Sequence, residues 1–286
     1  MRKPKTIGLA LGGGGAKGLA HIGVIKTLLR AGFKIDFVAG TSMGALVGGI
    51  YAATLDIDSL ERIFLEISEK YSVSRKMLHR KNNILFKDQK AVEKILTENI
   101  DGLDIQNTKI PFKAIATDVK NGDEVILEKG SLVKAMRASS SLPLIFPPVE
   151  MNDRLLMDGG FVNPVPVDVV KNMGADFVIG VDVSSKWPDI EDEHFSISGV
   201  KSTIVDAFSA LEYQVAKERV KAADFMLHPP VLSYHWDDFR LTEEIIEKGI
   251  NETANNIREI REATHYPKPV KRPLQSFVDF ISGNDY

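Results

Sequence analysis

Short apolar runs at residues 6–11, 35–39, 112–117, 124–127, 177–183 and 225–228 alternate along the chain with longer stretches where apolar positions recur every three or four residues. Runs of this length bounded by turn residues predict buried strands, and the longer period predicts helices over 19–29, 88–98, 201–222 and 242–263, with a shorter amphipathic turn or two over 131–138. Residues 154–157 add a further short strand. Strands separated by helices predict an α/β fold with a mainly parallel central sheet covered by helices on both faces. With 286 residues, 44% of them hydrophobic, the chain has material for one large core, so the pattern predicts a single domain over 5–265. Pro267, Pro269 and Pro273 then break the last helix and leave a tail, 266–286, with a short terminal helix around 274–281. Such a tail docks on its own domain, or it touches a membrane or a second subunit.

Two segments invite a membrane reading. Residues 6–11 follow a basic start but run straight into four glycines and Lys17, too short for a signal peptide. Residues 37–55 are 19 uncharged residues, long enough to span a bilayer. Their polar pair Thr41-Ser42 and repeated small residues fit a buried strand, a tight turn and a helix packed closely on a sheet instead. The formal net charge of −3 gives no basic field for nucleic acid, and the absence of cysteine excludes disulfides and thiolate metal sites. The expectation is a cytoplasmic protein without cofactor or metal, with peripheral membrane contact left open. The basic clusters at Arg75-Lys76 and His79-Arg80-Lys81 are solvated loops or lipid-headgroup contacts. Oligomeric state is not legible.

The chemistry begins at Gly40-Thr41-Ser42-Met43-Gly44, which lies between an apolar run and a small-residue helix. In a G-x-S-x-G turn the glycines permit a tight strand-to-helix reversal, and the serine sits on strained backbone with its hydroxyl exposed. An ordinary αβ turn satisfies the same five residues, so context has to decide.

That context includes Gly12-Gly13-Gly14-Gly15-Ala16-Lys17-Gly18, between a strand and a helix. Consecutive glycines turn backbone N–H groups outward and let a ligand approach the main chain, so the loop suits an anion. The anion is a nucleotide phosphate or the oxyanion formed when an ester carbonyl is attacked. Gly13-x-Gly15-x-x-Gly18 does match the dinucleotide fingerprint, with Asp36 eighteen residues beyond Gly18. Yet Asp36 precedes the second apolar run, whereas a ribose-binding acid belongs at the far end of that strand. A P-loop also fails, because Lys17-Gly18-Leu19 lacks the required order.

Asp158-Gly159-Gly160 follows the short strand at 154–157 and precedes Asn163-Pro164-Val165-Pro166. It is either a turn aspartate capping its own backbone or an acid aimed into a cleft. Glycine loop, serine elbow and Asp-Gly-Gly turn, in that order, resemble the patatin-like phospholipases, specifically the bacterial proteins grouped with neuropathy target esterase. The similarity extends to Arg137-Ala138-Ser139-Ser140-Ser141-Leu142-Pro143 and Phe146-Pro147-Pro148-Val149, and covers about residues 5–185.

The resemblance implies a serine–aspartate dyad without histidine. Ser42 would be the nucleophile, Asp158 the general base, and backbone N–H groups of Gly13, Gly14 and Gly15 the oxyanion hole. Lys17, Gly18, Gly40, Gly44, Gly159 and Gly160 complete the motifs. The implied reaction is hydrolysis of a carboxylic ester of a phospholipid, lysophospholipid or fatty-acyl ester through an acyl-serine intermediate. A free aspartate is a weak base toward a hydroxyl, so such a site must raise its basicity by desolvation.

Other readings stay beside this one: a non-catalytic lipid-binding or regulatory protein of the same fold, and a nucleotide-dependent oxidoreductase using the glycine loop. Of the six histidines, His21 is nearest to a motif, and its apolar neighbours Leu19, Ile22 and Ile25 mark it as a helix residue near the site rather than a triad base. Residues 59–77 and 231–239 are apolar enough to cap a lipid cleft, although helical apolar spacing also serves an ordinary core.

Overall fold

The computed structural model describes residues 3–78, 100, 102–143, 145–184 and 200–267, with backbone alone at 67, 69–78 and 200–206. Eight strands form one sheet: β1 (Ile7–Leu11), β2 (Phe37–Thr41), β3 (Phe112–Asp118), β4 (Glu124–Leu127), β5 (Val149–Met151), β6 (Arg154–Asp158), β7 (Phe177–Val181) and β8 (Phe225–Leu227). Their order is β5-β6-β3-β2-β1-β7-β8, with β4 also on β3. The middle of the sheet, β3-β2-β1-β7-β8, is parallel, as alternating strands and helices require. The antiparallel pairs β3–β4, β3–β6 and β5–β6 make the sheet mixed at one side.

Helices cover both faces: α1 (Ala20–Arg30), α2 (Met43–Thr54), α3 (Ile57–Leu78), α4 (Leu132–Ser139), α5 (Val167–Asn172), α6 (Val200–Arg219) and α7 (Thr242–Thr264). The sequence of β1 explains how the layers differ. Ile7, Leu9 and Leu11 point to the face carrying α1, α2 and α7, where the larger core lies. Gly8 and Ala10 point the other way, onto a thinner layer built from α5 and Ala216 of α6. A two-residue period with large side chains on one face and small ones on the other sets how closely each helix layer approaches.

The observed strands and helices reproduce the expected ones within a few residues, with two additions. The stretch after Asn163-Pro164 forms the short helix α5, and Val149 opens the edge strand β5. The helix expected over 88–98 and the terminal helix at 274–281 lie outside the described residues, as do His79, Arg80 and Lys81 and the side chains of Arg75 and Lys76. No helix among the described residues is long and apolar enough to cross a membrane. Residues 37–55 form β2, the turn at Ser42, and buried α2.

One feature of the register positions the chemistry. Ile115 of β3 pairs with Thr41 on one side and Ile126 on the other, and Ala116 pairs with Asp158 and Val125. β4 therefore runs along one edge of β3, while β2 and β6 share the opposite edge. They approach from opposite directions and meet end to end, with Thr41 and Asp158 opposite consecutive residues. Two segments more than a hundred residues apart deliver Ser42 and Asp158 to the same point by strand pairing alone.

Candidate active site

Ser42 is the turn residue between β2 and α2, with φ 54° and ψ −121°. A non-glycine residue there carries about 1–3 kcal/mol of strain and persists only where its surroundings hold it. The backbone N–H of Ser42 donates to Ser139 Oγ at 3.0 Å, and its carbonyl accepts the first bonds of α2 from Ala45 and Leu46. The flanking glycines are needed for contact. A Cβ on Gly44 would lie 2.1 Å from the Leu11 carbonyl oxygen, and one on Gly40 would lie 2.3 Å from that of Gly44. The elbow is thereby pressed onto the end of β1.

Asp158 ends β6 and is 1% exposed. Its Oδ1 accepts the Gly160 N–H at 2.8 Å, and it lines the same cleft as Ser42. Burial raises its pKa from 3.8 to about 6, against the opposing pull of the Gly160 N–H and the Ser42 side chain. It remains ionised at neutral pH and is a stronger base than a solvated carboxylate. The segment that leads from α4 to Pro143 braces both residues: Ser139 holds the Ser42 N–H, and the Ser141 carbonyl accepts the Asp158 N–H at 3.1 Å. Further links run from Thr41 Oγ1 to the Asn163 carbonyl and from Thr117 Oγ1 to the Asp158 carbonyl, each 2.7 Å and buried.

The glycine loop, 12–15, lies beside Ser42 and is held along its length. Gly12 N–H donates to the Val181 carbonyl at 3.0 Å and Ala16 N–H to the Trp236 carbonyl at 2.7 Å. His21, fully buried, hydrogen-bonds the Gly12 carbonyl through Nε2 at 2.8 Å. Burial lowers the pKa of this histidine to about 4, so it is neutral and braces the loop. One expected oxyanion donor is corrected. Gly13 N–H donates to the Pro164 carbonyl at 3.0 Å and is committed to the fold. Gly14 and Gly15 N–H groups have no acceptor among the described residues, and both glycines line the cleft beside Ser42. Gly15, at φ 58°, has no room for a side chain: a Cβ would lie 2.3 Å from the Trp236 carbonyl oxygen. Lys17, at the start of the following turn, is buried.

The cleft above these groups is largely apolar, walled by Met43, Leu46, Leu142, Phe146, Phe208 and Trp236. Residues 231–239 supply Trp236 and Phe239, whereas the described side chains of 59–77 line none of it. Asp36 is at the opposite end of the sheet, where its carboxylate accepts the Ile7 N–H at the start of β1, far from any group bound at the glycine loop. Among the described residues no group of three histidines or carboxylates is spaced to hold a metal ion.

Several residues of the site carried no signal in the sequence. Ser139 and Ser141 sit in a stretch recognised only by resemblance, and Glu212 is one polar position in an amphipathic helix. Glu212 is nonetheless buried and lines the same cleft, 170 residues beyond Ser42 in the chain.

The patatin-like phospholipase family model matches residues 9–171, which span the glycine loop, the elbow and the Asp-Gly-Gly turn. The chain belongs to the patatin-like phospholipase family. An NTE family protein of Mycobacterium bovis is 39% identical over 185 residues, covering 62% of this chain and 49% of that protein. A lysophospholipase of Candida albicans is 27% identical over 278 residues, covering 86% of this chain and 19% of the other. This patatin-like chain thus spans half or less of the length of these relatives. The crystal structure of VipD from Legionella pneumophila shares the patatin fold, with a TM-score of 0.50 at 14% identity over 90% of this chain and 67% of that one.

Proposed function

We propose that this chain is a serine acylhydrolase that cleaves carboxylic esters of phospholipids, lysophospholipids or related fatty-acyl esters by a Ser42–Asp158 dyad. The observation that carries the reading is the convergence of Ser42 and the buried Asp158 on one apolar cleft, delivered by the adjoining ends of β2 and β6, beside two backbone N–H groups without an acceptor among the described residues. Asp158 takes the hydroxyl proton as Ser42 Oγ attacks the ester carbonyl carbon. The carbonyl oxygen gains the negative charge and is received by the N–H groups of Gly14 and Gly15, assisted by the N-terminus of α2. The intermediate then collapses, the ester C–O bond breaks, and the proton on Asp158 passes to the departing alcohol. Water repeats the sequence on acyl-Ser42, with Asp158 again as base, and releases the fatty acid.

The reading agrees with membership of a phospholipase family and with the lysophospholipase among its relatives. The apolar wall suits acyl chains, and a substrate of this class brings the protein into peripheral contact with lipid surfaces. The test is steady-state hydrolysis of a lysophospholipid, a diacyl phospholipid and a medium-chain chromogenic ester by wild type, Ser42→Ala and Asp158→Asn. Turnover should be lost in Ser42→Ala and fall at least 10³-fold in Asp158→Asn. Turnover that persists in Ser42→Ala contradicts the dyad. Lipid binding without any turnover in the wild type contradicts the enzyme reading.

A further inference from the structure

Glu212 is a buried carboxyl group that the dyad does not use. It is 4% exposed, projects from α6 into the cleft, and its Oε1 has no hydrogen-bond partner among the described residues. Its neighbours locate it closely. A Cβ on Gly13 would lie 2.1 Å from Glu212 Oε1 and 3.5 Å from the Ser42 Cβ, and a Cβ on Gly160 would lie 2.9 Å from the same oxygen. The carboxyl therefore occupies the space that the side chains missing from the glycine loop and from the Asp-Gly-Gly turn leave open. A buried polar group without a partner costs about 1–3 kcal/mol, which a fold retains where a ligand supplies the partner.

We propose that Glu212 is a second carboxyl of the catalytic cleft, working in its neutral form as a hydrogen-bond donor to the ester oxygen held beside the glycine loop. The proposal rests on the Ser42–Asp158 reading and adds to it. In that place an ionised carboxylate would set negative charge against the developing oxyanion, whereas a protonated one supplies a donor beside the N–H groups of Gly14 and Gly15. The surroundings favour the proton. Burial raises the Glu212 pKa to about 8, reinforced by the charge of Asp158 at the end of β6, opposed by Lys17 after the glycine loop, and reinforced slightly by Asp182 after β7. Arg137 of α4 lines the same cleft, and His228 lies 3.9 Å from Asp182. The two site carboxyls are thus pushed to different degrees: Asp158 is the base at neutral pH and Glu212 is the acid.

The test compares pH profiles of ester hydrolysis by wild type and Glu212→Gln, together with carboxyl-carbon NMR titration of Glu212 in Ser42→Ala. A glutamine amide keeps a neutral donor of the same shape at every pH. The expected wild-type rate falls about tenfold between pH 7 and 9, and the ratio of rates at these two pH values in Glu212→Gln is near one. The NMR midpoint should lie well above the ordinary carboxylate range. An alkaline fall that is the same in Glu212→Gln, or an NMR midpoint near 4.5, overturns the proposal. The titration does not depend on turnover, so it reads the state of Glu212 even if the wild type proves inactive and the dyad reading fails instead.

Discussion

The backbone N–H of Ser42 donates to the Ser139 hydroxyl at 3.0 Å, across 97 residues of sequence. This bond fixes the peptide that holds Ser42 in its strained conformation, and Ser139 is fully buried. Ser139→Ala removes the acceptor and leaves a buried N–H without a partner. The expected cost is about 1–3 kcal/mol in urea denaturation, with a fall in kcat larger than any rise in KM because the elbow is less well held. Unchanged stability and kinetics would show that the elbow is set by its glycine contacts alone.

Asp158 carries a prediction of opposite sign for stability and activity. Its pKa is raised on folding from 3.8 to about 6, so between these values the folded state holds a proton that the unfolded chain has released. Stability therefore falls as pH rises through this window, by up to about 3 kcal/mol, and remains lower above it. Asp158→Asn lacks this term. It should unfold at higher urea concentration than wild type at pH 7 to 8, with the difference closing as pH drops to about 3, while hydrolysis is lost. Wild-type activity itself should decline as pH falls through about 6, where the base becomes protonated.

Much of this arrangement is legible in the sequence. The apolar runs mark strands because their residues are buried on both faces, as in β1 and β7, where every position is buried. The elbow and the glycine loop were legible because close backbone approach demands glycine locally, and such demands leave local marks. The antiparallel side of the sheet was less legible: β5 has three residues and gains its partner, β6, only through a tight turn. Commitment of the Gly13 N–H to Pro164 could not be read, since a run of four glycines does not state which N–H groups the rest of the fold consumes. Glu212 was hidden for a similar reason. Its burial comes from packing α6 against a loop at the other end of the chain, and helical periodicity cannot distinguish an acid facing water from one facing a cleft.

Two glycines separate a catalytic requirement from a conformational one. Gly15 and Gly122 both have positive φ, 58° and 77°, but a Cβ on Gly122 meets nothing within 4 Å, whereas one on Gly15 runs into the Trp236 carbonyl. Gly122→Ala should cost about 1 kcal/mol in denaturation and leave hydrolysis unchanged. Gly15→Ala must displace the loop proposed to carry the oxyanion donors, and kcat should fall about 10² to 10³-fold. Equal kinetics for the two variants would remove the loop from the mechanism.

Leu46 lines the cleft one helical turn beyond Ser42, on α2. Leu46→Trp should lower kcat/KM for long-chain esters by at least tenfold relative to short-chain ones, because the added ring fills space expected to take the acyl chain. A uniform loss across chain lengths would place the acyl chain elsewhere.

The most direct test of the account is covalent labelling of Ser42. A serine-directed fluorophosphonate, followed by intact and peptide mass spectrometry, should give one adduct on the peptide carrying Ser42 in the wild type. Ser42→Ala should give none, and labelling of Asp158→Asn should be at least 10²-fold slower if, as proposed, Asp158 removes the hydroxyl proton. An adduct on another residue, or labelling of Asp158→Asn at the wild-type rate, would contradict the Ser42–Asp158 dyad.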